Sequence, residues 1–415
     1  MKVLFIAPSF PLPAHSGGAL ATLGTLQSIH SICEVHLLVP PAESGRAANE
    51  DLLRSLLPDI SVSFYSAREV QPTRLEMYTT AAKSAVTRQS YWASIWLNPE
   101  LRAAVESLIA QHRFDLVHCE WLEPAVSLRE LDLPLLIRTL DVHFVGMCDW
   151  ADGLPPGDKV RKSFWRTQAQ RFRRFEAATL AAALTVVTLS AEDEAVLRGE
   201  GVSNIITIPP PSPVRPSSLA TETDESCLAL FIGRLDMAVN REGFFLFADK
   251  VWPHVSAEKR KQVKVIFAGG FPDEQVRRRA SECGIEIHAP LSDAEANQLF
   301  VEAEIFLSPV ASGTGIKIKT LEAMAHGKPM LGFVGAFRGV PIEHGVHALI
   351  ANSPEEFARL FEGLISDRAR RREIGASARE FVRVNFDPAI LAARLMSVYS
   401  TTAESYRRGR LQQSA

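Results

Sequence analysis

Residues 308–329 read SPVASGTGIKIKTLEAMAHGKP, and the order of features in this stretch decides the fold. The run before it, 305–308 (IFLS), is apolar, has strand length and ends at Ser308-Pro309. A glycine-rich loop follows. A helical pattern then starts around Ile318 and stops at Gly327, ahead of Pro329. Strand, glycine loop and helix N-terminus together form a construction that binds phosphate. Free backbone N–H groups point outward, the helix dipole favours an anion, and glycine lets the main chain approach closely. Lys317 and Lys319 add positive charge. Glu322 falls in the first turn or so, where a carboxylate complements the dipole. It can also accept two hydroxyl hydrogen bonds, as a ribose diol offers. An ordinary βα turn with a dipole-complementing glutamate accounts for the same residues equally well. The Walker pattern is absent, so this is not an ATPase loop.

Outward from that stretch, short β-rich runs alternate with helical patterns in both directions. Upstream, strands are expected at 2–7, 34–39, 114–119, 135–141, 184–189 and 204–208, with helices at 19–30 and 101–111. Several runs are continuously apolar, as parallel strands covered on both faces are. Residues 209–213 (PPPSP) open a Pro/Ser/Thr-rich stretch that reads as a linker. The alternation restarts with strands at 227–232, 263–268 and 285–288 and helices at 243–251 and 293–303. The fold class is α/β: two Rossmann-like, doubly wound halves, with ligands expected in the cleft at the carboxyl ends of the strands. The boundaries are 1–208 for the first domain, 209–226 for the linker and 227–386 for the second domain. A terminal helix over 387–415 has apolar residues spaced to dock on the first domain.

A chain of 415 residues with 47% hydrophobic and 22% charged residues suits two or three soluble domains. Its formal net charge of -3 supplies no general field for nucleic acid. The five cysteines are scattered, with no Cys-x-x-Cys pair, which disfavours zinc ribbons and disulfide scaffolds. No apolar window reaches membrane-spanning length. A cytoplasmic location is expected.

Further candidates lie at expected strand ends. Gly17 and Gly18 open the first helical pattern; a plain helix entry and a backbone contact to an anion or sugar both fit. Arg234, in Gly233-Arg234-Leu235-Asp236, is placed to grip a diphosphate, or to pair with Asp236 at the surface. Asn240 reads as an N-cap. His143 follows Asp141, and its place at a strand end raises the odds of a role beyond structure. Residues 161–175 interleave cations with aromatics. They fit either a solvated helix with one aromatic stripe in the core or a basic face for an anionic membrane.

The second half resembles the retaining glycosyltransferases of family 4 and their GT-B architecture. The matching pieces are Phe231-Ile232-Gly233-Arg234-Leu235, Val265 to Gly270, Ser308-Pro309 with Leu321 to Pro329, and Gly335 through Ile350. The resemblance implies transfer of a sugar from a nucleotide diphosphate sugar to a saccharide or lipid-linked acceptor, with retention at the anomeric carbon. No cofactor or metal is implied. Peripheral contact with the inner face of an anionic membrane is compatible. It assigns Glu322 to the ribose hydroxyls, the loop amides from Gly315 through Ile316, Lys317 and Ile318 to Lys319 to the diphosphate, Arg234 to the same diphosphate, and His143 to the donor sugar. Gly17 and Gly18 would contact the donor. His143, Arg234 and Lys319 form the expected catalytic set. The sequence departs from the family at Thr314, where many members carry a second glutamate, and at the missing Lys-Gly after Gly-Arg-Leu, where Arg241 can replace the lysine. These departures support one rival, a catalytically silent nucleotide-sugar-binding scaffold; a second rival is a nucleotide-sugar epimerase on the same two-domain frame.

Overall fold

A computed structural model of the chain describes residues 1–14, 16–42, 45–66, 79, 84, 90–154, 157–212, 227–311 and 313–413. It divides into two compact units, Met1–Pro211 with Pro388–Ala415, and Ser212–Asp387. Most of the expected linker, 213–226, lies outside the described residues.

The first unit is built on seven parallel strands: β1 (Lys2–Ile6), β2 (Glu34–Val39), β3 (Ser61–Phe64), β4 (Leu116–Glu120), β5 (Leu135–Arg138), β6 (Thr185–Thr188) and β7 (Ile205–Thr207). Their order is β3-β2-β1-β4-β5-β6-β7. The continuous apolar run of β1 serves two cores at once. Val3 and Phe5 face one cluster with Leu23, Leu26 and Leu37, whereas Leu4 and Ile6 face another with Leu122, Phe172 and Val186. The terminal helix Pro388–Gln413 joins the first of these clusters through Leu391, Leu395 and Tyr399.

The second unit repeats the plan with β8 (Cys227–Ile232), β9 (Val263–Ala268), β10 (Glu286–His288), β11 (Ile305–Ser308), β12 (Met330–Phe333) and β13 (Leu349–Ala351), in the order β10-β9-β8-β11-β12-β13. In each unit the chain winds outward from its first strand and then returns to that strand's other side. The switch points are β1/β4 and β8/β11. There the loops at the carboxyl ends part and leave room for a ligand. The helix expected over 243–251 begins earlier, as Ala238–Leu246, and runs on as a π turn, Phe247–Val251. Asn240 is therefore inside the helix, not its N-cap.

Candidate functional site

At the switch point of the second unit, β11 leads through the glycine loop into the helix Ile318–Ala325. Gly313 and Gly315 both have positive φ, 109° and 67°. The N-cap, Lys317, makes no side-chain cap hydrogen bond; its carbonyl takes the Thr320 N–H at 2.8 Å, and the Ile318 and Lys319 N–H groups keep their capacity for an anion. Ile318 is buried and can contribute only its backbone. Thr314 and Gly315 turn their carbonyls to the Lys317 ammonium, at 2.6 and 3.3 Å. Lys317 is thus folded onto its own loop, which it braces. Glu322 is buried and is the fifth residue of the helix, one turn deeper than expected; the first turn holds no acid. The dipole argument therefore does not apply to it.

Lys319 lies against the end of β8. Its ammonium sits 4.1 Å from the Phe231 ring centroid and donates to Asn240 Oδ1 at 2.7 Å. Asn240 Nδ2 in turn donates to the Arg234 carbonyl at 2.8 Å. Asn240 thus ties two expected diphosphate ligands into one unit, a role its spacing did not reveal. Burial, with Lys317 as a second cation, pushes Lys319 down to about 7.

The turn that carries Arg234 is held by close backbone approach. A Cβ on Gly269, whose φ is 141°, would meet the Gly233 carbonyl oxygen at 2.1 Å. Only glycine allows that contact between the ends of β8 and β9. The Arg234 side chain is engaged by Asp236 through two bonds, 3.1 and 2.5 Å, and lies over Phe271. The surface pairing is therefore present, and a diphosphate would have to draw the guanidinium from it. Arg241 is not brought to the loop: Asp273 and Gln275 hold its guanidinium at 2.7 and 2.5 Å. The cation beside Asn240 is Lys319. Arg338, which sequence reasoning passed over, reaches the Gly313 carbonyl at 3.5 Å.

In the first unit, His143 opens the helix His143–Gly153. The buried Glu176 carboxylate caps that helix, accepting from the backbone N–H groups of His143 and Phe144, both at 3.0 Å. His143 Nδ1 lies 3.4 Å from Glu176 and 3.5 Å from Asp141. Burial alone would lower this imidazole's affinity for a proton, but Glu176, Asp141 and Glu123 outweigh it and raise the ring to about 9. His143 is a cation at neutral pH. A histidine NMR titration should find its midpoint near 9, and Glu176→Gln should lower it. The sign for stability follows: the contribution is complete below the ordinary histidine range and disappears as pH rises through about 9.

Gly17 and Gly18 open the helix Gly17–Ile29, and the Ser16 side chain already takes the Ala19 N–H at 3.2 Å. A Cβ on Gly18 would meet the Trp121 ring at 2.3 Å, so this glycine makes room for an indole. Trp121, the residue after β4, has φ 73°. Such a conformation costs of order 1–3 kcal/mol and clusters at functional sites. No motif announces it.

The helix Lys159–Ala181 carries the basic-aromatic segment. Arg161 pairs with Asp158, Lys162 and Arg166 with Asp152, and Arg173 with Glu200. No helix among the described residues is long and apolar enough to cross a membrane.

Solved structures share this two-sheet fold. Sucrose-phosphate synthase from Thermosynechococcus elongatus superposes with a TM-score of 0.68 at 16% identity, over 98% of this chain and 100% of that one. Anabaena HepE in complex with UDP gives 0.66 at 14% identity, over 97% and 100%. The chain has the GT-B glycosyltransferase fold. Within the second unit, residues 226–367 match the family described as glycosyl transferases group 1. Among curated proteins, an uncharacterized 44.6 kDa protein in the cps region of Klebsiella pneumoniae is 22% identical over 393 residues, covering 93% of this chain and 96% of that protein. The phosphatidyl-myo-inositol mannosyltransferase of Mycobacterium leprae is 29% identical over 182 residues, 42% of this chain and 47% of its own.

Proposed function

We propose that this GT-B protein is a glycosyltransferase. It moves a sugar from a nucleoside diphosphate sugar to a saccharide or lipid-linked acceptor in polysaccharide or glycolipid assembly, with retention. The observation that carries this reading is the uncapped N-terminus of the helix Ile318–Ala325, with Lys319 tied through Asn240 to Arg234. A diphosphate there would meet backbone donors, a desolvated ammonium and a guanidinium, which together stabilise charge on a leaving group. Glu322 is the ribose ligand in this reading. His143, already cationic, serves the sugar as a charge, not as a base. Retention without an enzymic nucleophile calls for same-face attack by the acceptor, whose proton passes to the leaving phosphate. The group 1 match over 226–367 and the HepE–UDP complex on the same fold support a nucleotide-sugar donor. The position of the uncharacterized relative in a cps region supports a polysaccharide setting. Membrane contact belongs to the same reading, since Val160 and Phe164 are exposed beside the cations of their helix.

Calorimetric titration with UDP, GDP, ADP and dTDP tests the donor site. One nucleotide should bind saturably, and Glu322→Ala should weaken it about tenfold or more, as the loss of hydrogen bonds to a charged acceptor does. Absence of binding by all four would overturn the reading. Binding with neither transfer nor donor hydrolysis would leave a silent scaffold, and an inverted anomeric centre would refute the same-face mechanism.

A further inference from the structure

We infer that a groove in the first unit, apart from the glycine loop, binds an amphiphile that carries a phosphate-bearing head on an apolar chain. As an acceptor site the groove rests on the transferase reading above; as a binding site it does not.

Three helices each turn one face to this groove, a cavity of about 580 Å³. The helix Lys159–Ala181 presents Thr167, Gln170, Arg171, Arg174 and Phe175, the spacing of a single helical stripe. The helix Tyr91–Trp96 presents Ala93 and Ser94, followed by Leu97. The helix Leu122–Leu128 adds Val126, followed by Arg129. Much of this stripe is open to solvent, with Thr167, Gln170 and Arg174 exposed. It is cationic and hydroxylic, and no carboxylate lines the cavity among the described residues.

The charge is left over in a specific way. Four other cations along the same helix, Arg161, Lys162, Arg166 and Arg173, each meet an Asp or Glu. Arg171 instead donates to the carbonyl and hydroxyl of Ser84, at 2.8 and 3.2 Å. Arg129 lies over the Phe175 ring at 5.5 Å and reaches Glu130 only at 3.9 Å. Arg174 has no ion-pair partner among the described residues. Arg129, Arg171 and Arg174 line one cavity, so an anion between them would meet charge-assisted donors from two helices. Guanidinium forks match phosphate oxygens in particular.

The remaining wall identifies the rest of the ligand. Leu97 is half exposed, and with Val126 and Phe175 it forms an apolar side that a bare anion would leave wet. A neutral lipid would cover that side but strand the arginines. A phosphate joined to a hydrocarbon chain satisfies both. The groove also lies next to His143 through one short helix, whose Trp96 packs edge-on against the His143 ring at 5.1 Å. An acceptor's phosphate held here would sit close to the histidine assigned to the sugar.

Dodecyl phosphate, titrated into the full chain below its micellar concentration and followed by calorimetry, tests the inference. Saturable binding is expected, with Arg129→Ala/Arg174→Ala weakening it about tenfold or more, the loss of two charge-assisted contacts. UDP affinity should be unchanged in that variant, which shows that it is folded and that the donor site is separate. Dodecyl maltoside and inorganic phosphate should each bind at least tenfold more weakly than dodecyl phosphate. Equal binding of dodecyl maltoside, or a variant that binds dodecyl phosphate like the wild type, would overturn the inference. So would inorganic phosphate alone matching dodecyl phosphate, which would make the groove a free-anion site. Vesicles of phosphatidylcholine with phosphatidylglycerol that bind the protein while monomeric dodecyl phosphate does not would overturn it in favour of a membrane-surface contact. Failure of UDP to bind, with dodecyl phosphate still bound, would remove the transferase reading and leave the groove standing.

Discussion

Replacing Lys319 by Met should lower the transfer kcat about 10²–10³-fold, the loss that follows removal of one preorganised charge stabiliser from a transition state. The substitution preserves length and contact with the Phe231 ring, which methionine sulfur tolerates well. Folding should survive. Removing an ammonium that burial has already pushed down to about 7 relieves a desolvation cost, which offsets the lost bond to Asn240. The melting temperature therefore separates a chemical defect from an unfolded variant. pH gives a second readout with a defined sign. In the free protein Lys319 loses its proton above about 7, and a bound diphosphate raises its proton affinity again. Binding above pH 7 must take up a proton, so affinity for the nucleoside diphosphate should fall as pH rises, by at most tenfold per unit. Lys319→Met should flatten that slope. A wild-type affinity that stays level between pH 7 and 9 would show that Lys319 does not face the diphosphate.

The part of this picture legible in the sequence is the part carried by local pattern. Apolar runs such as 34–39, 227–232, 263–268 and 305–308 coincide with β2, β8, β9 and β11, because a strand buried on both faces leaves little room for polar residues. The edge strand β3 escaped, since Ser61–Phe64 is half-exposed and alternates serine with apolar residues. The glycine loop was legible through backbone requirements of its own. What fills the space around it was not. Lys319 and Asn240 are 79 residues apart and meet only because their helices begin after the adjacent strands β8 and β11. Arg241 illustrates the reverse: its position suited a diphosphate, and Asp273, on a different loop, took it instead. The positive φ of Trp121 and the cationic stripe beside Leu97 are likewise products of packing, with no local signature.

The largest stability effect is expected at Glu120. Glu120→Leu should cost the protein about 3–5 kcal/mol, the penalty of leaving a buried partner charge unpaired. Glu120 ends β4 and is fully buried, and it accepts from Arg138 at 2.5 Å and from His118 Nε2 at 2.9 Å. Burial disfavours its charge, yet Arg138 and His118 together keep its carboxyl below the usual range. Burial keeps His118 neutral. Its Nε2 then carries the proton donated to Glu120, and its Nδ1 accepts from the Tyr399 hydroxyl at 2.6 Å. This chain of bonds runs from Arg138 on β5 to Tyr399 on the terminal helix, so it also explains why that helix belongs to the first unit. Leucine at 120 would leave the Arg138 guanidinium, only 2% exposed, without a carboxylate. Arg138→Met in the same background should restore much of the loss, because exchanging both charges for apolar groups is often neutral or stabilising. Urea unfolding of the two single variants and the double variant supplies the cycle. If Glu120→Leu costs less than about 1 kcal/mol, the network contributes packing only, and the docking of the terminal helix must rest on its apolar contacts and on bonds such as Thr402 to Thr185 and Tyr406 to the Asp132 carbonyl.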